Sequence, residues 1–406
     1  MVKSRETRRK QANILIKIAK AISEAGAPSH RLEAYMQVML EKFQLDGCFF
    51  AMPTAIMASI GEGDNQRSYM VKTKTGDINL STLQRINEVF NALESDEIDI
   101  DEALKKIHYI NDNPNDYPTW LIILSFAIVS GGFTTLFAGS WQDVSVAFVM
   151  GFITGLISLF GGKHEHLSQL TAPLCAMVVG FLSVSASVYL HSIDHFLVSL
   201  AGLIILVPGL GITVAIRELS TGHLVSGSSR MAGAVTTLFL LSFGLALGFL
   251  LAQHFYGDVA ANKFDGVPEW FSYLALVITA LAFGILFNSR VKDTFWIFLS
   301  ITMAYTGSHL VGLWVGQPFK SLVAVMLVSM MGNVYARLSN NPASLMHIPG
   351  IILLVPGSMG FNSLSALYTN DTITGVQAAF EAILVAVAIS IGLLVGNLII
   401  PPKKSL

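Results

Sequence analysis

From residue 119 onward the chain alternates long apolar runs with short polar interruptions, whereas the first 118 residues mix apolar and polar positions at helical and strand-like spacing. A helix that crosses the hydrocarbon of a bilayer needs about 20 mostly apolar residues, because every backbone polar group must be satisfied within the segment. About ten such runs are predicted: 119–138, 144–161, 170–190, 196–216 and 231–252, then 270–287, 295–315, 319–336, 347–368 and 375–400. The expected organisation is a mostly α membrane protein. It has an amino-terminal domain over 1–118, a five-helix repeat over 119–252, an extracytoplasmic connecting loop over 253–269 and a second five-helix repeat over 270–406.

Within the first 118 residues, Ile14, Ile18 and Ile22, then Leu32, Tyr35 and Met39, recur at helical spacing on either side of Gly26-Ala27-Pro28, which predicts two helices over 5–46. Residues 47–60 and 68–74 read as strands joined by a turn at 61–65. Two further helices are expected at 79–94 and 100–111, the latter opened by Asp99 and Glu102 in a capping-box pattern. This is a small α/β or α+β domain.

Composition fixes the setting. Of 406 residues, 53% are hydrophobic and 13% charged, with mean hydropathy +0.60, against about 25% charged in an ordinary soluble domain. The charge is segregated: residues 1–118 hold 15 of the 25 Lys+Arg and 17 of the 27 Asp+Glu. A net charge of -2 without single-sign blocks excludes a nucleic-acid surface and a polybasic lipid anchor. Basic residues sort the loops by side, since short cytosolic loops are richer in Lys and Arg. With the amino terminus inside, Lys163, Arg217, Arg230, Arg290, Lys292, Arg337, Lys403 and Lys404 fall on the inner face and only Lys263 and Lys320 outside. Trp120, Trp141 and Trp270 stand at span ends, where amphipathic rings favour the interface. No apolar signal-type run follows the opening charges. The expectation is integral insertion in the cytoplasmic (inner) membrane with both termini and residues 1–118 in the cytosol. Cys48 and Cys175 sit in different regions and are expected to be separate thiols.

The most informative feature is a near-duplication, GLIILVPG at 202–209 and GIILLVPG at 350–357, each in the fourth span of its half. Five is odd, so the second half is expected to lie upside down relative to the first, as in inverted-topology transporters. Pro208-Gly209 and Pro356-Gly357 fall inside their spans, where proline removes a donor and clashes with the preceding turn. Both helices are expected to break there, offering half-helix ends suited to the charged ends of a zwitterion. A packing kink is the plainer alternative. The small-xxx-small pairs Gly151/Gly155, Gly244/Gly248, Gly312/Gly316 and Gly392/Gly396 fit close helix packing and permit a homodimer without requiring one.

Ionisable groups at membrane depth are functional candidates. His309 and Glu381 are candidates for proton coupling, against a core histidine and a carboxylate at headgroup level; Asn288, Asn333 and Asn397 fit interhelical bonding. After the first break, Thr213, Arg217 and Glu218 offer a hydroxyl and two charges. The pair can be an ion pair holding a gate, with Glu218 gating or coupling; Arg217 can instead hold a carboxylate, or serve as a positive-inside anchor. Ser358, Asn362 and Ser363 occupy the corresponding stretch of the second half, without an arginine. Adjacent Ser29 and His30 with Glu33 do not make a catalytic triad by sequence, and Pro28-Ser29 reads as a helix start. His164-Glu165-His166 is a weak metal pattern in a loop. No nucleotide-binding or zinc-protease motif appears, which argues against ATP-driven transport, and no cofactor is expected.

Together GAPSHRLE at 26–33, Pro53-Thr54, PGLGITVAIRELSTGHLVSG at 208–227 and LLVPG at 353–357 resemble the threonine/serine exporter family over essentially the whole chain, the 208–227 segment being the most specific. The resemblance implies export of small polar amino acids coupled to the proton motive force. Pro208, Gly209, Arg217, Glu218 and Gly222 match the family's motif by position. Relatives split into two proteins are associated with dicarboxylate export, which keeps that cargo open. A passive channel, and a sensor or enzyme working through residues 1–118, are the other readings.

Overall fold

The computed structural model describes all residues except 1–4, 62–65, 75, 77, 114, 192, 258, 260–264, 340, 369–370 and 403–406; the side chains of 5–7, 165–166, 365 and 367–368 are also left aside. The amino-terminal domain is α+β. Helices α1 (Arg5–Glu24) and α2 (Ser29–Phe43) are followed by β1 (Gly47–Met52), β2 (Ala55–Ile60) and β3 (Arg67–Lys72), then α3 (Leu80–Glu94) and α4 (Ile100–Asp112). Gly26, with φ +82°, adopts a backbone that glycine tolerates best, and Pro28 caps α2, so the chain turns between the first two helices where the pattern predicts.

The stretch 47–60 is two strands rather than one. Pro53-Thr54 reverses the chain, and β1 pairs antiparallel with β2 from Gly47↔Ile60 to Met52↔Ala55. The order is β1-β2-β3, and the β2–β3 turn at 62–65 lies outside the described residues. The helices close on the sheet through one apolar core that includes Ile14, Ile18, Leu32, Met36, Phe49, Ile56, Ile86, Phe90 and Ile107. Asp99 caps α4 by accepting from the Glu102 amide at 2.7 Å.

Each expected apolar run is helical. The first half contains α5 (Thr119–Leu136), α6 (Trp141–Gly161), the short α7 (Glu165–Ser168), α8 (Thr171–Leu190), α9 (His195–Leu203), α10 (Gly209–Ser220) and α11 (Leu224–Tyr256). The second contains α12 (Glu269–Leu286), α13 (Thr294–Gly312), α14 (Phe319–Ser339), α15 (Ser344–Ile352), α16 (Gly357–Tyr368) and α17 (Thr372–Ile399). Among the described residues, eight helical segments are long and apolar enough to cross a membrane. One of them, Ser344–Leu364, runs through the α15–α16 break, whereas the α9–α10 pair and α13 are not among them.

Packing follows the same order in both halves. Helix α6 packs on α5, α8 and α9; α8 on α9 and α11; and α10 on α11. Correspondingly, α13 packs on α12, α14 and α15; α14 on α15 and α17; and α16 on α17. The halves join through α5 against α12 and through the crossed pairs α10–α17 and α11–α16. Three glycine pairs seat helices closely: Gly151 and Gly155 on α5, Gly244 and Gly248 on α8, Gly392 and Gly396 on α14. The fourth does not, because α13 ends at Gly312 and a Cβ on Gly316 would meet nothing within 4 Å. Asn333 donates to Asn397 at 2.8 Å, an interhelical bond of the expected kind.

The domain docks on the membrane bundle through backbone as well as side chains. The Leu80 amide donates to the Phe287 carbonyl at 2.9 Å, the Ser81 amide to the Asn288 carbonyl at 3.1 Å, and Tyr117 Oη to the Ser289 carbonyl at 2.7 Å. Arg290 adds a bidentate pair with Glu88, and Gln84 donates to Asn341 at 3.0 Å. Thus the α12–α13 turn, the α14–α15 turn and the domain occupy one face. Arg337, bonded to the Pro401 carbonyl at 2.7 Å, brings the end of α17 close to α14. Of the residues used to assign sides, Lys263, Lys403 and Lys404 lie outside the described set.

Candidate functional site

Both spans that carry the duplicated motif break at their prolines. Helix α9 ends at Leu203 and α10 starts at Gly209; α15 ends at Ile352 and α16 starts at Gly357. Proline cannot donate to the preceding turn and crowds it, which is why each helix stops in the residues just before. The two breaks touch. A Cβ on Gly209 would lie 2.8 Å from Gly357 Cα, and one on Gly357 would lie 3.1 Å from Gly209 Cα, so only glycine allows the approach. Consequently the amino-terminal ends of α10 and α16, each the positive end of its helix dipole, converge at one point. Val207 and Val355 flank the contact.

The named hydroxyls near the breaks are largely committed to structure. Thr213 is buried and donates to the Gly209 carbonyl one turn back at 3.2 Å, and Ser363 donates to the Gly375 carbonyl at 2.6 Å, tying α16 to α17. Pro356 and Gly357 are buried, Ser358 is half-buried and Asn362 is exposed.

Two turns beyond the first break, α10 delivers Arg217 and Glu218 into a polar cluster under the amino-terminal domain. Glu218 is fully buried. It accepts from the Ser29 amide at 2.8 Å, Ser226 Oγ at 2.7 Å and Arg230 Nε at 3.3 Å. The first donor is the amino terminus of α2, so the helix dipole adds to the charge of Arg230. Ser226 uses its proton on Glu218, hence Ser29 Oγ, 2.6 Å away, donates to Ser226. Glu33 is shared between the Ala51 amide at 2.7 Å and His223 Nε2 at 3.2 Å. Helix α11 starts seven residues ahead of the predicted apolar run at 231, and this polar extension carries Ser226 and Arg230 to Glu218.

Arg31 reaches from α2 to the second half, where its Nη2 lies 3.2 Å from His347 Nδ1 on α15. Arginine only donates, so Nδ1 accepts; Nε2 then carries the proton and donates to the Ser329 carbonyl at 3.2 Å. The segment 29–31 therefore touches α10 with Ser29 and α15 with Arg31. Burial pushes His30 down to about 2, and the charges of Arg217, Arg31, His223 and Arg230 act in the same direction. Burial also lowers Arg31 to about 10, which leaves it a cation. Neither His30 nitrogen nor Arg217 Nε has a hydrogen-bond partner among the described residues, although all three atoms are enclosed.

Of the residues singled out by sequence, Pro208, Gly209, Pro356 and Gly357 come together, as do Arg217 and Glu218 with Ser29, His30 and Glu33. His309 and Glu381 join neither group: both are exposed, and His309 stacks on Tyr305 at a ring separation of 6.2 Å. His347, Ser226, His223 and Arg31 belong to the site without having been singled out. His347 stands at the first residue of a predicted span, where an ionisable group was a legible signal. Of the His-x-His loop pattern, Glu165 and His166 have side chains outside the described set; among the described residues no three His, Cys, Asp or Glu gather as metal ligands.

These features define a polytopic α-helical membrane protein with a docked amino-terminal domain and two broken helices meeting at a glycine contact. A family model described as "Putative threonine/serine exporter" matches residues 13–252, and a second, described as "Threonine/Serine exporter, ThrE", matches residues 272–399. The chain belongs to the threonine/serine exporter family. It is similar to Pheromone-regulated membrane protein 10 of Kluyveromyces lactis, 27% identical over 96% of this chain and 43% of that protein. The protein of the same name from Eremothecium gossypii is 26% identical over 96% of this chain and 56% of its own length, and that of Yarrowia lipolytica 27% over 88% and 30%. The chain spans roughly half or less of these curated relatives. No solved structure matches it.

Proposed function

We propose that this protein is a secondary active exporter of threonine, serine and similar small polar amino acids, coupled to the proton motive force and working by alternating access around the two Pro-Gly breaks. The observation that carries the reading is the contact of Gly209 with Gly357, which brings two positively polarised helix ends to one place. A carboxylate is favoured at such a point, and irregular backbone at membrane depth is tolerated where it lines a cavity. The matched packing order supports a pair of five-helix repeats, which an odd span count makes inverted, and the Lys and Arg bias of the loops supports a cytosolic amino-terminal domain in the cytoplasmic membrane. Rocking of one repeat against the other then exposes the breaks to each side in turn.

The test is counterflow in proteoliposomes. Saturable, trans-stimulated threonine or serine flux that responds to an imposed pH gradient is expected. Absence of saturable flux of either amino acid under both conditions overturns the reading, and flux that neither saturates nor trans-stimulates indicates a passive channel.

A further inference from the structure

We propose that His30, Arg31 and Arg217 form an intake site for the carboxylate group of the cargo, built jointly by the amino-terminal domain and the first broken helix. The inference rests on the export reading for its physiological meaning, and on the geometry of the cluster for its chemistry.

The cluster holds three arginines, Arg31, Arg217 and Arg230, and two carboxylates, Glu33 and Glu218. Both carboxylates are committed: Glu218 to Arg230, Ser226 and the Ser29 amide, and Glu33 to His223 and the Ala51 amide. Among the described residues, Arg31 and Arg217 have no acidic hydrogen-bond partner. Among these residues Arg31 donates only to the imidazole of His347, and Arg217 Nε is enclosed without a hydrogen-bond partner. The charges of Arg31 and Arg217 oppose each other, with Glu218 offsetting part of the repulsion, and an enclosed donor without an acceptor such as Arg217 Nε costs about 1–3 kcal/mol. Natural folds keep such an arrangement where something else supplies the missing charge. The geometry asks for an anion with at least two acceptor oxygens, and a carboxylate matches the planar fork of arginine.

The neutral ring of His30 contributes a further donor or acceptor beside the guanidinium groups, and as an uncharged group it does not repel the cationic amine of an amino acid. His347 is an exchangeable stand-in. A neutral imidazole gives Arg31 one hydrogen bond and no counter-charge, whereas a carboxylate supplies the opposite charge and a second oxygen for the guanidinium fork. Arrival of cargo would thus replace the Arg31–His347 bond that ties α2 to the second half. Arg217 stands eight residues from Gly209, about 12 Å along α10 at 1.5 Å per residue, so an anion held there has the convergent helix ends as its next stop.

The experiment uses the full chain purified in detergent and in proteoliposomes, comparing wild type with Arg31→Gln, Arg217→Gln and Arg31→Lys. Binding is measured by ligand-dependent thermal shift and by competition, with L-threonine, L-threoninamide and succinate as probes. Wild type is expected to favour threonine over its amide, while Arg31→Gln and Arg217→Gln weaken threonine about tenfold or more and lose that preference. Arg31→Lys, keeping the charge, should recover part of the affinity. An unchanged unfolding midpoint without ligand separates lost binding from lost folding.

Saturable threonine flux with the same KM and the same amide discrimination in both glutamine variants overturns the intake site and leaves the export reading standing. Succinate binding that needs both arginines, with no threonine binding, keeps the site and overturns the amino-acid cargo. Absence of a shift with every carboxylate probe in wild type overturns the site.

Discussion

Glu218 is the residue on which the cluster turns, because a fully buried carboxylate is tolerated only with its donors in place. Three groups from α2 and α11 supply them. Removing one partner from a buried ion pair typically costs about 3–5 kcal/mol. Glu218→Gln is therefore expected to lower the thermal midpoint by several degrees and to expose the connection near residues 113–118 to limited proteolysis. A variant with unchanged midpoint and cleavage pattern would show that Glu218 does not hold the domain. His30 makes a separate forecast about pH. Its folded value, about 2, lies below the ordinary 6.5, so the unfolded chain binds the extra proton between those limits. Stability supplied by the neutral ring is complete above pH 6.5 and falls on acidification, with a limiting slope of about 1.4 kcal/mol per pH unit from this residue. His30→Gln should flatten the acid limb of a stability-against-pH curve; an unaltered limb refutes the assignment.

At the scale of elements, Pro208 and Pro356 were legible because their effect is local: each removes a donor and clashes one turn back, wherever the helix happens to be. That the two breaks touch was not legible, since nothing in the spacing of 202–209 and 350–357 specifies which helices become neighbours. Gly209→Ala and Gly357→Ala test the contact. Each adds a Cβ within 2.8 to 3.1 Å of the opposing glycine Cα, an overpacking expected to cost about 1–3 kcal/mol and to suppress counterflow well below wild type. Full flux in both variants would mean that the breaks separate readily and do not govern transport. The Pro53-Thr54 reversal escaped the strand pattern for a related reason: residues 47–60 keep strand-like composition throughout, and only pairing between β1 and β2 reveals the hairpin. Long-range partners explain the rest of what was missed. Ser29 and Glu218 are separated by 189 positions, Arg31 and His347 by 316, and periodicity carries no information across such distances.

For the whole molecule, the amino-terminal domain stands on two feet of different kinds. One is rooted in the second half through the backbone bonds of Leu80 and Ser81 and the Arg290–Glu88 pair; Glu88 is half exposed at 51%, so that pair alone adds no more than about 1 kcal/mol. The other rests on the first half through Ser29, Glu218, Ser226, Glu33 and His223. Cysteine pairs distinguish them, after replacement of exposed Cys48. Bridging Gln84→Cys to Asn341→Cys is expected to spare flux, because in the proposed cycle the domain moves with the second half and the bridge reinforces that contact. Bridging Ser29→Cys to Ser226→Cys is expected to arrest it, with recovery on reduction. Equal inhibition by the two bridges would contradict this division.

The asymmetry of the two footings has a practical corollary. On the proposed alternating-access cycle, a body gripped by backbone on one half and by the buried Glu218 cluster on the other has to release one grip as the halves rock, and its far edge then sweeps farther than the contact that drives it. Fluorophores placed on the outer strand β3 and on the polar start of α11 would then change separation once per turnover, converting a silent movement inside the bilayer into a signal readable from the water.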